Sequence, residues 1–306
     1  MTDVASAPPL DRTDPLTREA VAPSPRALLA RRVRTHPGLL AGAGIVAVLV
    51  AVAVLAPVLA PHDPYAQSLM ARMEKPVFMG GTWEHPLGTD HLGRDYLSRL
   101  IYGARISLLI GTVAALISGL IGSAMGIAAG YFGGKTDAVV TFLINVRLAM
   151  PVVLVALAVV AILGGSLTVV TVVLGLLLWD RFAVVMRAST LQVRRRDFVA
   201  ASRAVGASTP RILFTEILPN VANNLIVVAT LEMAHAILLE AALSFLGLGV
   251  QPPIPSWGLM VSEGKNMMLF EPWLVLIPGA VLFLLVLAIN LMGDGLRDVS
   301  APENRS

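Results

Sequence analysis

The stretch "RRRDFVAASRAVGASTPRILFTEILPN", Arg194 to Asn220, interrupts a chain whose mean hydropathy is +0.77. A chain this oily that pauses for two short, basic, punctuated segments is expected to carry membrane spans on either side of a loop in water. Hydrophobic residues are 56% of the 306 and charged residues 14%, and the apolar letters gather in runs of about 20, the length of a membrane-crossing helix. The runs are Leu39 to Ala60, Ile106 to Tyr131, Val139 to Leu163, Leu167 to Met186, Leu225 to Leu248 and Trp273 to Met292, six spans in all. Backbone amides in hydrocarbon must be satisfied within a segment, and the alternation of a membrane barrel is absent from these runs. The expected fold is therefore an all-α integral membrane protein.

Cysteine is absent, which excludes disulfides and thiol chemistry. The first run does not read as a cleaved signal peptide: its basic leader and its apolar core are both too long, and Pro61 follows the one small-residue site. Residues 1–36 are expected to form a cytoplasmic tail, disordered from Met1 to about Pro25 because Ala, Pro, Ser and mixed charges there lack patterning. Residues 37–104 would hold the first span and a periplasmic loop, 105–298 a five-helix core containing the inner loop 187–221, and 299–306 a cytoplasmic tail.

Lysine and arginine fix the orientation. Arg12, Arg18, Arg26, Arg31, Arg32 and Arg34 precede the first span, and Arg187, Arg194, Arg195, Arg196, Arg203 and Arg211 follow the fourth, so both regions belong inside. Between His62 and Ala104 the basic residues are offset by Asp63, Glu74, Glu84, Asp90 and Asp95, and the last loop has only Lys265. These loops face outside. Six spans return the C-terminus, with Arg297 and Arg305, to the inside.

Within the inner loop Asp197 can open a helix and Gly206 can close it in a left-handed conformation. Thr209 and Pro210 read as the cap and first position of a second helix that Pro219 would stop. Helices this short are marginal alone, so something must hold them. Ala200, Ala201 and Ala204 give a smooth face, while Ile212, Leu213, Phe214, Ile217 and Leu218 are too apolar to stay wet. Two readings remain open on these grounds: amphipathic helices on anionic lipid, or a helix seated in the groove of a soluble partner.

The order Ala200-Ala201-Ser202, then Gly206, then Leu218-Pro219-Asn220 resembles the cytoplasmic coupling loop of binding-protein-dependent ABC importer permeases. Where this chain has Ala200 that family usually has Glu, and where it has Ser202 commonly Ala, so one polar contact to the partner is missing. "HPLGTDHLGRDYLSRLIYGARISL" (85–108), "PSWGLM" (255–260) and "NLMGDGLRDV" (290–299) resemble the peptide and nickel branch, in the order of the dipeptide permease C subunit. The similarity runs from about Pro37 to Pro302. It implies a type I importer permease fold and an ATPase-coupling surface of Ala200, Ala201, Ser202, Gly206, Leu218 and Pro219. It also implies an inner-membrane location and four kinds of partner: a second homologous permease in a heterodimer, two ATP-binding cassette subunits holding ATP and magnesium, a periplasmic or lipid-anchored substrate-binding protein, and membrane lipid. Dipeptides or oligopeptides are the implied cargo, with nickel chelates, glutathione or other small solutes as the alternative. No nucleic-acid partner, no cofactor in this chain and no catalytic residue are expected.

"GYFGGKT" (130–136) is not a phosphate loop, because the position that needs glycine is Ala129 and a membrane helix precedes it in place of a strand. His85, Asp90, His91 and Asp95 would suit zinc by type, but Pro86 and Gly88 order that loop without a metal, and none is expected. Ser118, Gly122, Gly126 and Gly130 form a small-residue stripe for close helix packing, within the permease or across a pair. Pro151 should kink the third span. Ionisable residues in spans are costly and usually face an interior or an aqueous path. Arg147, Asp180, Arg181, Glu232, His235 and Glu240 qualify. Asp180 and Arg181 read as interfacial, whereas Glu232, His235 and Glu240 are the candidates for a translocation path. A secondary transporter would show an internal repeat and paired broken helices, and a membrane enzyme would need more catalytic groups than Glu232 and His235.

Overall fold

The computed structural model describes residues 31–300; the expectation for the N-terminal tail lies mostly, and that for residues 301–306 wholly, outside them. Among the described residues the chain is helical, with one isolated bridge between Thr89 and Asp95. Five helices are long and apolar enough to cross a membrane: Pro37–Val54, Tyr96–Phe132, Leu167–Arg194, Thr209–Phe245 and Trp273–Ser300. The expected third span is broken, since Gly134–Ala149 and Val152–Leu163 meet at 84°. Pro151, expected to kink this span, stands at the break, having no N–H to give to the preceding turn.

Packing direction settles whether that bent pair crosses. Along the second span Gly122 faces Trp179 and Phe182, Gly126 faces Ala183 and Met186, and Gly130 faces Arg187 and Thr190. The second and fourth spans therefore run parallel, and the chain can begin the fourth only by recrossing between them. Six crossings follow. They agree with the contact between His36 and Asp298 at 3.2 Å, which puts the start of the first span and the end of the last on one face.

A Cβ on Gly122, Gly126 or Gly130 would lie 2.2 to 2.7 Å from the fourth span's atoms, so this stripe packs within the subunit. The first span lies on the flank of the bundle, its Gly42 against Ala288 and Met292 of the last. Asp95 caps the second span, its carboxylate accepting the Ser98 N–H at 2.7 Å, so the helix starts ten residues ahead of the apolar run. At 37 residues it is about 55 Å long, well beyond the hydrocarbon, and its first turns belong to the outer loop. The helix carrying the fifth span likewise begins at Thr209 inside the basic loop.

Candidate coupling surface and passage

The first inner helix spans Asp197–Ala204. Its end is a Schellman turn: Ala207 N–H donates to Ser202 O and Gly206 N–H to Arg203 O, both at 3.0 Å, with Gly206 at φ +80°. Val199 is fully buried and pins the helix to Tyr131, Met186, Ile212, Ile217 and Val221. The Arg203 guanidinium sits 5.0 Å from the Tyr131 ring centroid. Ala200, Ala201 and Ala204 remain exposed and Val205 is 84% exposed, so a smooth small-residue face is left uncovered by this chain. Ser202 meets Glu216 at 3.4 Å, a pairing across fourteen residues that the letters do not signal because only folding brings the carboxylate near.

Pro219 does not stop the second segment. Thr209–Arg211 leads into a π turn at Ile212–Ile217, after which Leu218–Phe245 continues as α-helix. The wide turn, in which Leu218 N–H reaches Leu213 O, sets Pro219 at the opening of a fresh α segment, where a missing N–H is tolerated. Ser208 rather than Thr209 occupies the cap position. The second segment of this loop and the fifth span are consequently one continuous rod, Thr209–Phe245. Leu218 lies on the wall of an apolar groove with Leu116, Leu120, Phe132 and Phe214, while Pro219 is exposed.

Arg181, expected near a membrane surface, stands mid-helix, its guanidinium 3.0 Å from Glu232 Oε1. His235 Nδ1 lies 3.3 Å from the other oxygen of Glu232. Glu232 is buried, but the Arg181 side chain is 58% exposed on this subunit, among apolar turns where lipid contact would be costly. Glu240 does not join them. Its Oε1 accepts from Ser244 at 2.7 Å and Ser256 at 2.9 Å, and it packs on Gly258, so it ties the fifth span to the segment Trp257–Gly264 and reaches no surface. Arg147 is also structural: it donates to Leu177 O at 2.7 Å and Met150 O at 3.3 Å, satisfying carbonyls at the two helix breaks.

At the glycine-rich turn Gly133 and Gly134 have φ of +68° and +52° and simply link two spans. At the other end of the second span, Asp90 receives Arg94 Nε at 2.6 Å and Arg99 Nη1, and the same arginines reach Glu263 at 3.0 and 2.8 Å. Burial opposes the charge on Asp90, but Arg99, Arg94 and the backbone N–H groups of Arg94 and Leu92 outweigh it and hold the carboxyl below its usual range.

Several apolar spans, a short helix exposed at one end and a polar cluster between the spans define a multi-pass membrane protein. The model of the family described as binding-protein-dependent transport system inner membrane component matches residues 122–306, and that of the N-terminal TM domain of oligopeptide transport permease C matches 24–76. The chain belongs to this family of binding-protein-dependent permeases. It is 41% identical to a dipeptide transport system permease protein of Haemophilus influenzae, covering 88% of this chain and 92% of that one. With a di/tripeptide transport system permease protein of Pseudomonas aeruginosa it shares 42% identity over 92% and 94%. With a glutathione transport system permease protein of Pectobacterium atrosepticum the identity is 37% over 96% of each chain. The solved MetNI methionine ABC transporter, in an inward-facing conformation, matches with a TM-score of 0.56 at 19% identity, covering 66% of this chain and 97% of that one, and shares the fold. The chain is thus a multi-pass permease subunit of an ABC importer.

Proposed function

We propose that this permease imports dipeptides or oligopeptides across a bacterial inner membrane, with both termini inside, as one half of a passage completed by a second permease. The relatives named for dipeptides and di/tripeptides support the cargo; the glutathione relative keeps a modified tripeptide as the alternative within the same machinery. Two ATPase subunits holding ATP and magnesium would dock on Ala200, Ala201, Ser202, Gly206, Leu218 and Pro219, and an outer binding protein would deliver cargo. The observation that carries the coupling role is the exposed small-residue helix, braced by Val199 against Ile212, Ile217 and Val221 of the rod that carries the fifth span. ATP binding closes the ATPase pair and pushes this rod, tilting the spans outward-facing; hydrolysis resets them.

Glu232 and His235, together with Arg181, line the passage in this reading. An exposed guanidinium at that depth needs water or a partner subunit beside it, and Arg181, held by the buried Glu232, offers its charge to the carboxylate of a peptide. Glu240 holds the outer segment instead. The test is uptake of labelled dipeptides, oligopeptides, glutathione and nickel chelates by cells lacking the chain and by cells in which it is restored. Restored peptide uptake that requires the ATPase subunits supports the proposal, and uptake persisting without them overturns it.

A further inference from the structure

Two histidines and an aspartate meet on the outer face, away from the passage. His85 Nδ1 lies 2.9 Å and His62 Nδ1 3.7 Å from the same oxygen, Asp95 Oδ1. The imidazole centroids are 4.7 Å apart, and one ligand atom from each of the three residues falls within 4.8 Å of the others. The His62 Nδ1 atom is buried with no hydrogen-bond partner. Ser98 holds two of the three: its N–H donates to Asp95 Oδ2 at 2.7 Å, and its hydroxyl accepts from the His62 backbone N–H at 3.0 Å. The bond to the Asp95 carboxylate is of the kind that fixes ligand geometry in metal sites.

The sequence set of His85, Asp90, His91 and Asp95 is split by folding. Asp90 and His91 come together with Glu263, but Arg94 and Arg99 already neutralise those carboxylates and would repel a cation. His85 and Asp95 instead gain His62 from the other end of the loop, with no basic side chain bonded to them. We propose that His62, His85 and Asp95 bind a divalent transition cation of the zinc type, clamping the start of the outer loop to the start of the second span. Two imidazoles and a carboxylate suit such a cation, and tetrahedral bonds of about 2.1 Å place ligand atoms about 3.4 Å apart. The observed separations of 2.9 and 3.7 Å bracket that value. With Asp95 at 1%, His85 at 13% and His62 at 38% exposure, a fourth position opens toward the outside for water.

The full chain, purified in detergent without a histidine tag and stripped with a chelator, should be titrated with zinc by calorimetry and with cobalt by absorbance. One zinc per chain and a tetrahedral cobalt spectrum are expected. Loss of an orienting partner alone weakens metal sites about 10- to 100-fold, so His62→Gln and His85→Gln should each weaken binding by about 100-fold or more, and His91→Gln should leave it unchanged. No zinc binding by the parent chain, or equal binding by the His62→Gln variant, overturns the proposal. His62 is the most exposed of the three, so that variant decides the matter even where His85→Gln disturbs the loop.

Discussion

The loop before the second span and the loop after the fourth are opposite constructions. In the loop before the second span, Asp90, Arg94, Arg99 and Glu263 are enclosed and paired with one another, and Tyr96 donates through its hydroxyl to Leu274 O, so these charges are neutralised within one chain. In the loop after the fourth span, Ala200, Ala201, Ala204 and Val205 lie exposed about a helix whose only buried side chain is Val199. A charged cluster buried within one subunit builds a fixed platform. A small-residue face that its own chain leaves uncovered is open to a partner.

The contrast can be broken first at the outer cluster. Arg99→Ala leaves Asp90 and Glu263 buried with one cation between them, and removing one partner of a buried charge cluster costs about 3–5 kcal/mol. Thermal unfolding in detergent should show a larger loss than either glycine substitution below produces, and an unchanged midpoint would mean the loop is no fixed platform. The same cluster sets an acid limit. Because the Asp90 carboxyl is held below its usual range, its charge stabilises the fold at any pH above the unfolded value of about 4 and is lost as pH falls through the lower folded value. Stability should fall off below about pH 4, and Asp90→Asn should flatten that acid limb while lowering stability at neutral pH.

Gly126→Val comes next. Its first carbon would lie 2.5 Å from Ala183 O, and overpacking of this kind costs about 1–3 kcal/mol, read as reduced yield and a lower unfolding midpoint. A Cβ at Gly206 meets no atom within 4 Å, so the main cost of Gly206→Val is the left-handed backbone, about 1–2 kcal/mol. Uptake should nonetheless be uncoupled from ATP hydrolysis in that variant while membrane insertion is normal; unchanged uptake would argue against the docking role. Val205→Asp, on a side chain 84% exposed, should move stability by less than about 0.5 kcal/mol yet abolish co-purification of ATPase subunits. A Val205→Asp variant that still brings them down would separate this face from docking.

Apolar run lengths alone marked the membrane class, and the stretch Arg194–Asn220 marked its inner loop, because both follow from local chemistry that no tertiary contact overrides. Glycine at 206 was legible for the same reason: a helix end needing positive φ shows in the letters. The helical extension of the second span over Tyr96–Arg105 was not legible, since it depends on Asp95 as a cap and on packing, whereas the helix opening at Thr209 was read and only its junction with the fifth span was not. Nor was the continuity through Pro219, which a π turn allows and a proline rule forbids.

The sequence by itself determined that this chain crosses a membrane, where its loops fall and which residues carry charge into the oil. Tertiary structure decided which of those charges meet. It joined Arg181 to Glu232 across 51 residues, enclosed Glu240 behind Ser256, and brought His62 to Asp95 instead of leaving His91 there. Hydropathy is a property of each segment, so it can be read from the letters. The partner that neutralises a buried charge is set by how the helices lie against one another, and no single segment contains that information.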